Sequence, residues 1–261
     1  MKYPKLAGKM MQVQLNKEFA YKTNFIITII GMALGDFIGP LMAMIIYGTT
    51  VGIPGWTLDQ FLLFQGTLIL VFGLGHALCM SFFWVTLEAI ERGDFDKYLL
   101  KPYNSWLYIT AAGIDWDGFI EVIFGLVLTI YAMIKLQISI ANTGFCYYLV
   151  LIGAGVLFQS ALITFVTAGS FITVKNEALY NLFMRMFDFA RYPLTVYGVG
   201  LRIFLTFFFP VAVSSFYPAE ALIRGMGIAE LIMVITPVIV VFCLSLWAWH
   251  VAIRKYTSAG G

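Results

Sequence analysis

With 261 residues, 61% of them hydrophobic and only 11% charged, the chain departs far from the roughly 25% charge of an ordinary soluble domain. A mean hydropathy of +0.89 leaves more apolar surface than a water-soluble fold of this size can bury, which excludes that class and points to lipid as the solvent. The net charge of +2 is uninformative by itself and gives no sign of a nucleic-acid partner; its placement along the chain matters more.

In chain order, the first 24 residues are basic and amphipathic. Lys2, Lys5 and Lys9 recur at helical spacing, and so do Leu6, Met10 and Val13. This pattern predicts a helix lying along the headgroups with its lysines on anionic lipid, the alternative being a solvated basic tail. No cleavable signal peptide is expected, because the apolar run that starts near Phe25 is too long for an h-region.

Six apolar segments follow, each near the roughly 20 residues a bilayer core requires. They run from Phe25 to Tyr47, Phe61 to Trp84, Ile114 to Leu136, Phe145 to Val174, Leu194 to Phe216 and Leu231 to Val251. The runs are continuous rather than alternating, so helices are predicted and not a barrel. Thirteen lysines and arginines fall on one side of this arrangement. They include Arg92, Lys97 and Lys101 after the second span, and Lys175, Arg185 and Arg191 after the fourth. Only Lys135 and Arg224 fall on the other side, so both termini are expected in the cytoplasm. The expected fold is an all-α membrane protein, one transmembrane domain over 1–261, in the cell membrane. Cys79, Cys146 and Cys243 show no paired spacing and read as small packing residues, and no metal site is expected.

Charges inside spans are candidates for function because lipid makes them costly. Asp36 is central in the first span, and His76 lies in the inner half of the second at a similar depth. They form a possible intramembrane polar site, to which Arg202 is added, although its place near the cytoplasmic end of the fifth span also suits snorkelling. Asp115, Asp117 and Glu121 sit where the third span leaves the cytoplasm, open to Lys101 or to water. Gly31, Gly35 and Gly39 form a four-residue stripe for close helix packing, within one chain or across a dimer.

The segment from Leu87 to Pro102 reads LEAIERGDFDKYLLKP. Gly93 suits a helix C-terminus and Asp94 the N-cap of a short new helix, while Phe95, Tyr98 and Leu99 at i, i+3 and i+4 give that helix an apolar face. Such a helix can dock in another protein's groove or lie on the membrane.

ERGDFDKYLLKP resembles the loop between spans two and three in permeases of type-2 ABC transporters, in a bacterial and archaeal family of about this length. The resemblance continues in RYPLTVYGVGLRIFLTFFFP from Arg191, SSFYPAEAL from Ser214 and WAWHVAIRKYTSAG from Trp247, in the family's order. It implies that the loop is a coupling helix meeting an ATPase, a role carried onto Glu88, Glu91, Arg92, Gly93, Asp94, Asp96, Lys97, Leu100 and Lys101. It also implies an amino-terminal interface helix, and short re-entrant helices around Pro210, Pro218 and Gly225 to Gly227. The chain has no GxxxxGK[ST] stretch, so ATP and magnesium are expected on a separate ATPase subunit, with a second permease, identical or related, completing the path.

The resemblance thus implies a transport subunit, and an exporter of drugs or lipids fits the family. The alternative is an ion-coupled secondary transporter using Asp36 and His76, but the paired repeats and broken spans of that class are missing. A membrane enzyme is disfavoured, because His76 and His250 belong to no catalytic motif.

Overall fold

The computed structural model describes Gln12, residues 22–173 and residues 176–256. The expected amino-terminal interface helix, with Lys2, Lys5 and Lys9, lies outside the described residues, and so do Lys175 and the last four residues of the C-terminal pattern. Among the described residues the structure is all-helical, as the composition requires. The helices are α1 (Lys22–Thr49), α2 (Leu58–Glu91), α3 (Asp96–Leu99), α4 (Ser105–Ala112), α5 (Asp117–Lys135), α6 (Thr143–Gly169), α7 (Glu177–Met186), α8 (Val199–Phe208), α9 (Phe216–Ile223) and α10 (Ile228–Ile253). Five of them, 19 to 34 residues long, are apolar enough to cross a membrane.

The longest, α2, is opened by a capping box: Gln60 N–H donates to Thr57 Oγ1 (3.3 Å), and Thr57 N–H donates to Gln60 Oε1 (3.0 Å). At 34 residues and about 1.5 Å per residue it exceeds the roughly 30 Å of a hydrocarbon core, so one end projects into water. The projecting end carries Arg92, Lys97 and Lys101.

Antiparallel to α2 lies α5, held unusually close by glycines two turns apart on both helices. A Cβ at Gly66 would lie 2.8 Å from Thr129 N, and one at Gly73 would lie 2.6 Å from Val122 N. On the opposite helix, Gly125 faces the backbone of Leu70 and Gly118 that of Ala77. Backbones in contact gain dispersion energy that lipid cannot replace. The stripe Gly31, Gly35, Gly39 behaves differently, since Gly31 and Gly35 have nothing within 4 Å and only Gly39 meets a neighbour, Gln65. Helix α1 sits at the margin, with Ile27, Leu34 and Ile38 all more than half exposed.

The interior is organised around α6, whose Leu151, Phe158 and Leu162 are buried against α10 and against the segment from Phe187 to Ala221. Where a fifth span was expected over 194–216, no continuous helix exists. The chain there is a 3-10 turn at Leu194–Val196, helix α8 ending in a π turn, a 3-10 turn at Val211–Ser214, and then α9. Pro193 and Pro210 cannot donate into a helix, and Gly198 sits in extended backbone.

The antiparallel neighbour of α2 in this region is α7, continued by the 3-10 turn Phe187–Arg191. Tyr180 stacks on Phe83 with centroids 4.5 Å apart, Phe187 meets Phe72 at 5.3 Å, and Gln65 Nε2 donates to the Arg191 carbonyl at 2.9 Å. Residue numbers rise along α7 as they fall along α2. Hydropathy missed this segment because Glu177, Arg185, Asp188 and Arg191 interrupt it. Its apolar residues Tyr180, Phe183, Met184 and Phe187 nevertheless fall at i, i+3, i+4 and i+7, one helical face.

Candidate functional site

Helices α1, α2, α5, α6 and α7, with the turn that continues α7, line a partly open cavity of about 320 Å³. Its polar wall comes from Asp36, Gln65, His76, Glu121, Gln159 and Arg191. Asp36 and His76 therefore do face one pocket. Arg202 does not belong with them. It lies beside Glu220, Arg224 and Glu230 at the opposite end of the bundle from Arg92, where Trp56 Nε1 donates to Thr195 Oγ1 (3.2 Å) and Arg224 Nη2 to the Gly55 carbonyl (3.1 Å). Its guanidinium is occupied by the Tyr197 and Thr195 carbonyls, at 2.7 and 2.8 Å. The broken chain between Leu194 and Phe216 is the reason: with no continuous helix there, Arg202 is carried away from the cavity.

His76 opens a π turn, His76–Met80, inside α2. Such turns shift the helix register and re-aim side chains, and they recur at functional sites. Two outside groups bond the backbone around it: Gln159 Nε2 donates to the Val71 carbonyl (3.1 Å), and the Asp115 N–H to the Ala77 carbonyl (2.9 Å). Both ring nitrogens of His76 face carboxylates, Nδ1 at 3.0 Å from Glu121 Oε1 and Nε2 at 3.6 Å from Asp115 Oδ2. Of the acids at the foot of the third span, Glu121 and Asp115 thus pair with His76. Tight α2–α5 packing at Gly73 and Gly118 brings them there.

Asp36 comes from α1. Its helix docks through Phe37 against Phe124 of α5, centroids 6.4 Å apart, and through Gly39 against Gln65. Asp36 Oδ2 is buried without a hydrogen-bond partner among the described residues. Sequence reasoning did not reach Gln65, Gln159 and Arg191. The two glutamines were visible as polar residues in apolar runs, whereas Arg191 was hidden by its assignment to a loop.

The second candidate region is the projecting turn. Helix α2 ends in a Schellman motif: Gly93 takes a φ of +68°, its N–H donates to the Ile90 carbonyl (3.0 Å), and the Asp94 N–H donates to the Ala89 carbonyl (3.0 Å). Asp94 does not cap α3 with its side chain, because the Schellman turn directs its carboxylate to Lys97 Nζ at 2.6 Å, and the residue preceding α3 is Phe95. That carboxylate holds the Lys97 ammonium above its ordinary pKa.

Phe95 is fully buried, edge-on to Phe171, Trp249 and Tyr256 at 4.9, 6.2 and 5.4 Å. One aromatic side chain thus ties the turn to the ends of α6 and α10. Around this anchor Glu88, Glu91, Arg92, Lys97 and Lys101 are exposed, Arg92 pairing with Glu88 at 2.6 Å. Leu99, expected on the buried face, is exposed, and Leu100 is 84% exposed. Asp96 begins the four-residue helix.

The sequence profile of the ABC-2 family transporter proteins matches residues 30–260. The chain belongs to that family. No curated protein and no solved structure matches it. The permease is therefore the membrane-embedded transport subunit of an ABC transporter, a multi-pass protein whose family membership implies an ABC ATPase partner.

Proposed function

We propose that this permease forms the path of an exporter in the cell membrane, as a dimer with an identical or related permease. A separate ATPase binds ATP and magnesium and drives it. The observation that carries this reading is the projecting turn: Leu100 stands exposed among Glu91, Arg92, Lys97 and Lys101. An apolar tip ringed by charge suits a groove on a soluble partner. The Phe95 anchor makes the turn a lever, since a displacement by the ATPase passes to the ends of α6 and α10.

Two further features fit a dimer. The face of α7 and its following turn that carries Asn181, Arg185 and Asp188 is exposed beside an apolar bundle, and Gly31 and Gly35 on α1 are open for a close partner. In this reading α7 with residues 187–191 is the fifth crossing, and α8 and α9 form a re-entrant pair on the outer side. The test is charge reversal. Arg92→Glu, Lys97→Glu and Lys101→Glu together should abolish stimulation of the partner ATPase in the reconstituted complex while membrane insertion persists. Unchanged stimulation would exclude the coupling role.

A further inference from the structure

We propose that the cavity beside Asp36 binds an amphipathic organic cation, the charge against the Asp36 carboxylate and the apolar body against Leu68, Ile69, Phe72, Ile163 and Phe187. This deepens the transport reading and rests on it for the purpose of the site, but not for the binding itself.

Charge selects the ligand's sign. Four carboxylates line the cavity or pair with its wall: Asp36, Asp115, Glu121 and Asp188. Two cationic side chains face them, His76 through both ring nitrogens and Arg191 through its Nε. His76 is held between Glu121 and Asp115. Arg191 Nε donates to Asp188 Oδ1 at 2.8 Å. Arg191 keeps its Nη nitrogens, but the four carboxylates outnumber the two cations, which disfavours an anionic ligand. Asp36 Oδ2, by contrast, is buried with no hydrogen-bond partner among the described residues. A carboxylate in such a place is costly unless something cationic completes it.

Shape selects the ligand's body. The cavity is about 320 Å³, within the range of small-molecule sites, and most of its lining is apolar. Phe72 and Phe187 meet edge-to-face at 5.3 Å on its wall, which offers aromatic surface to a diffuse positive charge. The amides complete the fit: Gln65 Nε2 and Gln159 Nε2 are spent on the Arg191 and Val71 carbonyls. Both glutamine side chains line the cavity, with Gln65 Oε1 packed on Gly39 and Gln159 Oε1 on Gly75, so they fix the wall and leave Asp36 to meet the charge.

Tetraphenylphosphonium and tetraphenylborate, nearly the same shape with opposite charge, provide the test. Binding of each is measured separately on the full-length permease in phosphatidylcholine nanodiscs, with empty nanodiscs subtracted. The cation should bind saturably and at least about tenfold more tightly than the anion, the scale of one unscreened charge. Asp36→Asn should weaken cation binding by at least about tenfold, and Asp36→Glu should retain most of it. Equal binding of the two ions, no saturable cation binding, or an unaltered affinity in Asp36→Asn would overturn the proposal. If Asp36→Asn does not fold, the comparison of the two ions on the unaltered protein decides alone. Because no ATPase is present, cation selectivity stands even if the ATPase proves not to couple, which separates the two failures.

Discussion

Phe95 shows how much one side chain can determine here. It is fully buried, and three rings from two distant parts of the chain surround it. Truncating a buried aromatic costs about 3–5 kcal/mol in a rigid core. Phe95→Ala should therefore lower the melting temperature of the purified permease measurably. It should also reduce ATPase stimulation in the complex, although every charged residue of the turn is retained. Normal stimulation in a stably folded Phe95→Ala protein would show that the turn transmits nothing through this anchor. Its sequence spacing marked Phe95 as apolar, together with Tyr98 and Leu99, but could not say which of the three would be buried. Burial was decided by Phe171, Trp249 and Tyr256, which lie far along the chain. The position of Asp94 after Gly93 suits an N-cap, but the Schellman turn directs its carboxylate to Lys97.

Among the elements, α1 and α5 make an instructive pair because both carry glycine on helical faces. The stripe on α1 has the better-known spacing, yet Gly31 and Gly35 touch nothing within the chain. The glycines that pack are Gly118 and Gly125 on α5, facing the backbones of Ala77 and Leu70, and Gly66 and Gly73 on α2. Gly125→Leu must force these helices apart, at a cost of about 1–3 kcal/mol or more. A lower melting temperature in size-exclusion thermal profiles is the expected result. Gly31→Leu should leave the monomer's melting unchanged and affect only association between copies; destabilisation of the monomer would contradict the open space seen at Gly31. Periodicity alone cannot separate the two cases, because it records which residues share a face and not what that face meets.

For the whole molecule, the placement of the segment from Leu194 to Phe216 distinguishes two topologies. An uninterrupted span there would set Arg202 near the cytoplasmic face. The structure instead sets it beside Glu220 and Arg224, at the end where Gly55 and Trp56 lie. In a background lacking Cys79, Cys146 and Cys243, a membrane-impermeant maleimide applied to intact cells should label Arg202→Cys and spare Lys101→Cys. Sparing of both cysteines would restore the uninterrupted span. By itself, the amino-acid sequence determined the all-helical membrane class, the positions of the strongly apolar helices, the presence of a charged projecting turn after α2, and the family. These follow from local quantities: apolar content, run length, helical spacing and a motif contiguous in the chain. Only the tertiary structure decided that the charged segment after α6 packs along α2, that α8 and α9 replace a continuous helix, and that Asp36, His76, Glu121, Gln65 and Gln159 share one cavity. Those outcomes depend on which helix faces which. In lipid that choice is made by backbone contact at glycines and by pairing of buried polar groups, and neither is written in the hydropathy of any single segment.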